Sequence, residues 1–161
     1  MNLTIIAAIS KNDVIGNNGK LPWGMISKDM ERFRKITGSN PVIMGRKTYE
    51  SLPDRFRPLP GRKNIILSRS LQEEGDFYVA RKFDEVIRLT EGLDSCVIGG
   101  SEIYRLFLPD ANKMELTRLH RYYEGDTFFP DINFDKWRLT NEYKGRTSAG
   151  LEYSFLTYDR K

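Results

Sequence analysis

The sequence predicts an α/β fold with a mainly parallel central sheet, helices on both faces and an antiparallel C-terminal edge. Three observations predict it. Apolar runs of strand length, such as Leu3–Ile9, lack polar alternation and read as strands buried on both faces. Segments of helical period follow several of these runs through glycine-bearing junctions. Beyond Pro109 the helical patterns stop and only strand-like runs remain.

In order, Leu3–Ile9 is the first strand, and a polar loop with glycines runs from Lys11 to Gly24. Ser27 is placed to cap a helix that reaches about Thr37 and ends at Gly38. On it Met30, Phe33 and Ile36 share an inward side, and Asp29, four residues before Phe33, lies partly on the same face. Pro41–Met44 is a second buried strand, and Gly45 leads into a short helix through Leu52. Asn64–Leu67 and Phe77–Ala80 are strands, Asp84–Leu89 a helix, and Ser95–Ile98 another apolar strand. Gly99-Gly100 opens a helix from Ser101 to Leu108, stopped before Pro109. Strands at Lys113–Leu119, Trp137–Tyr143 and Leu151–Tyr158 close the chain, the last two pairing around a turn from Gly145 to Gly150. No repeat, low-complexity segment or linker divides residues 1–161, so a single domain is expected.

A domain of 161 residues buries roughly 68–70% of its unfolded surface and needs no staples. Cys96 and His120 are the only residues of their kinds, which excludes an internal disulfide and a cysteine-histidine zinc site; no metal is expected. Cys96 reads as a small core residue, His120 as a satisfied polar group and Trp137 as packing. The apolar start, Met1 to Ser10, has no basic n-region or cleavage site, and no stretch is long and apolar enough to span a bilayer. A cytoplasmic protein, with no membrane partner, is expected. The net charge of +4 suits an anionic partner or merely solvates the surface. No long basic run or aromatic-basic motif marks a nucleic-acid footprint.

Three strand-to-helix junctions carry candidate chemistry. Gly45-Arg46-Lys47-Thr48 combines backbone N–H groups, two cations and a hydroxyl suited to a phosphate, or is a basic helix start. Ser68-Arg69-Ser70, after Leu67, holds a second phosphate or forms an ordinary turn. Gly99-Gly100-Ser101 lets a ligand approach the backbone, although the G-x-G-x-x-G spacing is missing. Together they point to a phosphorylated ligand across the carboxyl ends of the strands. Asp29 among apolar neighbours would have its pKa raised by desolvation and could bind an amidine-like edge; alternatively it is a first-turn acid favoured by the dipole.

The chain resembles the dihydrofolate reductase family. The resemblance is carried by Ile15-Gly16 through Leu21-Pro22-Trp23, by Asp29, by Pro41–Leu52, by Arg57–Asn64, by Val97–Tyr104 and by Gly125–Pro130. It implies hydride transfer from NADPH to 7,8-dihydrofolate, giving tetrahydrofolate for one-carbon metabolism, with antifolates as further ligands and a monomer as the acting form. Asp29 would hold the pterin and assist N5 protonation with water, supported by Thr117, with Leu21 and Trp23 in the catalytic loop. Ile6, Ala7, Met30, Phe33, Leu52, Leu59 and Ile98 would line the substrate pocket, and Arg62 would pair with the glutamate carboxylate. The cofactor would touch Ala8, Ile15, Gly16, Asn18, Gly45, Arg46, Lys47, Thr48, Leu67, Ser68 and Arg69. It would also touch Ile98, Gly99, Gly100, Ser101, Glu102, Ile103, Tyr104 and Thr127. Ser68 and Arg69 would meet the 2′-phosphate, and the paired glycines would form a cis peptide.

The sequence departs from the family in four places. One extra residue separates Trp23 from Asp29, Leu21 stands where methionine is common, and Tyr49 where tryptophan is common. Glu102 occupies a position that is basic in some relatives. Two other readings compete: a reductase of another pterin or of a riboflavin-pathway pyrimidine, against which Asp29 with Arg62 argues, and a basic nucleic-acid-binding module resting on charge alone.

Overall fold

A computed structural model describes residues 2–72 and 75–161; Met1, at the head of the apolar start, lies outside the described residues, as do Glu73 and Glu74. The chain forms strands β1 (Leu3–Ile9) and β2 (Val14–Gly16), helix α1 (Ser27–Thr37), β3 (Val42–Gly45), α2 (Arg46–Ser51), β4 (Asn64–Leu67) and β5 (Tyr78–Ala80). Helix α3 (Phe83–Leu89), β6 (Ser95–Gly99), α4 (Ser101–Phe107), β7 (Lys113–Leu119), β8 (Thr127–Phe128), β9 (Trp137–Arg146) and β10 (Glu152–Arg160) follow. Eight strands make one sheet in the order β5-β4-β3-β6-β1-β7-β10-β9. The first six run parallel, and β10 and β9 add antiparallel at one edge.

Alternate residues of the central strands feed two apolar layers, as the period of a strand requires. Ile5, Ala7, Ile43, Ile65 and Val97 pack with Val86, Ile103 and Phe107 from α3 and α4. Ile6, Val42, Met44, Ile66 and Cys96 pack instead with Phe33 and Ile36 of α1 and Tyr49 of α2. Two-sided burial explains why these strands show apolar runs rather than alternation, and it puts helices on both faces.

The structure corrects several boundaries. Ser27 is the first helical residue rather than the cap; Ile26 takes the cap position and its side chain makes no capping bond. Helix α2 stops at Ser51, with Leu52 extended. Phe77 lies outside β5, whose pairing with β4 begins at Tyr78, and its ring packs against Tyr49 with centroids 5.0 Å apart. The terminal hairpin is longer than its apolar core indicates: β9 continues through Arg146, and Arg146 and Glu152 pair across it. Cys96 and Trp137 are buried, and His120 Nε2 lies 2.8 Å from Ser154 Oγ.

A second, two-stranded sheet pairs β2 with β8. Between β2 and Trp23 the chain turns tightly at Asn18-Gly19, both with positive φ, and Asn17 and Lys20 exchange backbone hydrogen bonds of 2.9 and 3.1 Å. Gly125 lies so close beneath β2 that an added Cβ would fall inside the Val14 side chain and 2.7 Å from the Gly16 carbonyl oxygen. Neither atom sits on a flexible end, since Val14 is fully buried. Gly125→Ala is therefore expected to cost about 1–3 kcal/mol of stability by overpacking. Denaturant unfolding, with amide exchange at Asn17 and Asn18, would check both the loss and its location in this small sheet.

Candidate active site

The ladder between β1 and β6 ends at the pair Ile5–Val97. Beyond it the carbonyls of Ile6 and Ile98 are met by the buried Tyr104 hydroxyl, at 2.7 and 2.9 Å. With one proton to give, that hydroxyl donates to either carbonyl at a time. The Tyr104 hydroxyl, on a residue expected at the cofactor, is also a tie between the two central strands. Ile103 is likewise 9% exposed, and it packs under Gly45, where an added Cβ would lie 3.1 Å from its Cγ1. Leu67 and Ala7 join the apolar layer of α3 and α4.

On the α1 face Ile6, Phe33, Leu52, Leu59 and Ile98 belong to one apolar cluster. Asp29 sits at one end of this slot. Thr117 Oγ1 donates to Asp29 Oδ1 at 2.5 Å. Desolvation raises the Asp29 pKa, opposed by the Thr117 hydrogen bond and by the charge of Arg32. At the other end Arg62 Nε donates to Thr37 Oγ1 at 3.1 Å and Nη1 to the Pro60 carbonyl at 2.7 Å. Asp29 and Thr37 are eight residues apart on α1, a rise of about 12 Å. An acid, an apolar middle and a guanidinium thus lie along one helix. Met30 follows Asp29 and is half-buried.

The carboxyl ends of β4, β3, β6 and β1 stand side by side. Gly99 and Gly100, joined by a cis peptide, face Thr48: an added Cβ would lie 3.2 and 3.4 Å from Thr48 Oγ1. The glycines keep open the space in front of that hydroxyl, a cradle that any side chain would fill. Arg46 and Lys47 are exposed at the start of α2, with Arg46 Nε 3.8 Å from Glu50. One strand over, Ser68 Oγ accepts from the Ser70 and Leu71 amides at 3.3 and 3.1 Å, and Arg69 is exposed. Glu102 is exposed near this edge. Such a run of amides, hydroxyls and cations fits a dinucleotide carrying phosphates.

The loop that would cover the site is docked from behind. Asn18 N–H donates to Asp126 Oδ2 at 3.1 Å and Thr127 Oγ1 donates to Asp126 Oδ1 at 2.8 Å, which together hold the Asp126 carboxyl below its usual range. Ser101 Oγ donates to the Phe128 carbonyl at 2.7 Å, linking α4 to β8. Ile15 packs on the main core and Gly16 accepts from Asp126 N–H at 3.2 Å. Trp23 packs edge-on to Tyr123, with centroids 5.4 Å apart, beside Ala8 and Ile26. Leu21 is 48% exposed.

Three participants escaped sequence reasoning. Arg81 Nη1 donates to the Ser68 carbonyl at 2.9 Å, bringing a second guanidinium to the Ser68–Arg69 turn. Its position just past β5, the strand beside β4, is the signal that could have found it. Arg32 and Glu115 meet behind Asp29 and carry no local signal at all.

Comparison with known proteins supplies the family. A family profile described as dihydrofolate reductase matches residues 2–160. The chain is 39% identical to a dihydrofolate reductase of Haemophilus influenzae over 164 residues, covering 100% of both. It is 36% identical to the rat (Rattus norvegicus) enzyme over 182 residues, covering 99% of this chain and 97% of that protein. A solved structure of dihydrofolate reductase from Enterococcus faecalis, complexed with NADP(H) and RAB-propyl, superposes with a TM-score of 0.89 at 28% identity. That match covers 99% of this chain and 96% of the other. Full-length similarity in sequence and in fold leaves one assignment: the chain belongs to the dihydrofolate reductase family.

Proposed function

We propose that Asp29, Thr117 and Arg62 are the polar anchors with which this chain, an NADPH-dependent reductase of dihydrofolate to tetrahydrofolate, holds its substrate. The observation that carries the proposal is the α1 slot: a desolvated carboxylate and a guanidinium at opposite ends of one apolar groove. Dihydrofolate presents the amino and ring N–H donors of its pterin at one end and a glutamate carboxylate at the other, with a benzoyl ring between. Asp29 accepts from the donors, Ile6, Phe33, Leu52, Leu59 and Ile98 enclose the rings, and Arg62 receives the carboxylate. The same chemistry disfavours a smaller pterin or pyrimidine, which has no glutamate carboxylate for Arg62 to receive.

NADPH, when bound, supplies the hydride. The chain contributes placement and electrostatics. Thr48, the Gly99–Gly100 backbone, Arg46 and Lys47 are suited to the diphosphate, and Ser68, Arg69 and Arg81 to the 2′-phosphate. Asp29 draws on the pterin edge so that N5 accepts a proton from water. The loop from Gly16 to Trp23 excludes further water, and its docking on Asp126 sets how readily it moves. Residues 1–161 act as one domain, a reading supported by an eight-stranded sheet in which β1, from the start of the chain, lies two strands from β10, from its end. A monomer in the cytoplasm fits the lone, buried Cys96. Among the described residues no helix is long and apolar enough to cross a membrane.

Asp29→Asn is expected to slow hydride transfer near neutrality by about 10²–10⁴-fold and to recover part of it at low pH, where substrate arrives protonated. The rate of NADPH absorbance loss across pH measures this; unchanged turnover at neutral pH would remove Asp29 from the role. The same substitution bears on stability. The raised Asp29 pKa makes the folded chain hold more protons than the unfolded one, so its contribution becomes unfavourable as pH rises through that window. Asp29→Asn should therefore raise the melting temperature near neutral pH, with the gain vanishing below the ordinary carboxylate range. Arg69→Ala should narrow the preference for NADPH over NADH by about 10–100-fold, the worth of a hydrogen bond to a charged group. The ratio of kcat/KM with the two nucleotides reads it out.

A further inference from the structure

Behind Asp29 lies a group of charges that the mechanism above does not use. Arg32 Nη2 contacts Glu115 Oε2 on β7, and the two side chains are only 16% and 12% exposed. Thr157 Oγ1 on β10 donates to the same Glu115 oxygen at 2.7 Å. The Arg32 guanidinium lies over the Phe155 ring, 4.7 Å from its centroid. The register of β10 on β7 places Phe155 opposite Thr117 and Thr157 opposite Glu115, so two strands wall in both polar contacts.

Helix α1 and strand β7 are therefore joined by two parallel rungs, Asp29 to Thr117 and Arg32 to Glu115. Residues three apart on a helix are neighbours on its surface, and residues two apart on a strand share a face. The acid stands on the helix in the first rung and on the strand in the second. Stability alone gives weak reason for the second rung. A buried ion pair gains little over well-packed apolar residues, because both charges lose their hydration. Phe155 already supplies an apolar wall at this place.

The other charges near Asp29 are turned elsewhere or absent. On its own helix Lys28 and Glu31 pair with each other at 3.5 Å on the exposed side. On β7 Arg118 pairs with Asp13, and just beyond that strand His120 bonds Ser154. Tyr153 from β10 and Tyr104 from α4 are phenols kept neutral by burial. Among the described residues Arg32 is the cation that favours the Asp29 carboxylate, and it is itself drawn between Glu115 and Asp29.

We propose that Arg32 and Glu115 are positioning residues for Asp29: the guanidinium favours the Asp29 carboxylate, and Glu115 holds that guanidinium and offsets part of its charge. The proposal rests on the reading of Asp29 as the proton-handling residue. It also has a signature that a purely structural brace lacks. Removing the cation leaves two acids with nothing between them, whereas removing the second acid leaves the cation to Asp29 alone. The two losses should move Asp29 in opposite directions.

The experiment uses the full chain without ligands, labelled with ¹³C at the aspartate carboxyl carbons, and follows the Asp29 resonance through a pH titration. Arg32→Met should increase the proton affinity of Asp29, and Glu115→Gln should decrease it, each by about threefold to tenfold. Arg32→Lys should return the midpoint toward the parent. If Arg32→Met folds poorly, Arg32→Met with Glu115→Met replaces the pair by apolar side chains of similar length. That double variant should titrate between the two single ones. In turnover, the pH above which hydride transfer declines should move up and down with the same variants. Midpoints that shift in the same direction, or do not shift, would overturn the proposal. A fully active Asp29→Asn enzyme would sink the catalytic reading of Asp29, while the carboxyl titration would still decide the coupling to Arg32 and Glu115 on its own.

Discussion

A carboxylate held out of water governs much of this structure. Asp29 can be kept in an apolar slot only if something satisfies its oxygens and something else closes the slot. Thr117 does the first at 2.5 Å, from the strand on which α1 lies. The second falls to the two-layered sheet, whose α1 face supplies Ile6, Phe33 and Ile98. An exposed aspartate would need neither device, and would keep an ordinary pKa with no special affinity for an amidine-like edge. The burial that costs folding energy at this residue is the same burial that makes it chemically useful.

The parallel arrangement has a second consequence. Because β4, β3, β6 and β1 run the same way, their carboxyl ends and the amides that follow them collect at one edge of the sheet. Each junction is a weak anion site by itself; adjacent, they form a track long enough for a dinucleotide. The β1–β6 ladder ends within this edge, and the Tyr104 hydroxyl occupies the gap beneath. A sheet paired to its last residue would have no room there for a ligand to meet the backbone. Local loss of pairing is thus compensated by one buried side chain, in keeping with the rule that buried carbonyls find donors.

Much of this was legible in the sequence because it depends on local pattern. The run Leu3–Ile9, the glycine junctions after β3 and β6, and the strand-only tail each follow from periodicity and turn chemistry. Asp29 was legible as an odd residue, since an acid four positions before Phe33 contradicts an apolar stripe. What stayed hidden depends on partners distant in the chain. Ser27 has the chemistry of a cap, yet Ile26 takes the cap position and joins the cluster of Leu119 and Tyr153, so tertiary packing overrode local preference. The β2–β8 ribbon pairs segments of three and two residues, too short for any periodicity to register. Arg32 and Glu115 are 83 positions apart, and nothing near either one says that it is buried.

The site combines two kinds of support that answer different physical needs. The groups proposed as substrate anchors have little freedom: Asp29 sits on α1, Thr117 on a strand paired on both sides, and Arg62 is hydrogen-bonded to Thr37 at the far end of α1. On that proposal the separation of acid and guanidinium, set by α1 and the Arg62–Thr37 bond, would act as a ruler for the substrate. The covering loop is held differently. Its polar fastenings are an exposed carboxylate and a hairpin turn, each individually weak and easily exchanged with water. A rigid slot with a lightly fastened cover is what the chemistry requires. The reacting groups must be placed within tenths of an ångström, yet water must enter once to deliver a proton and then be kept out.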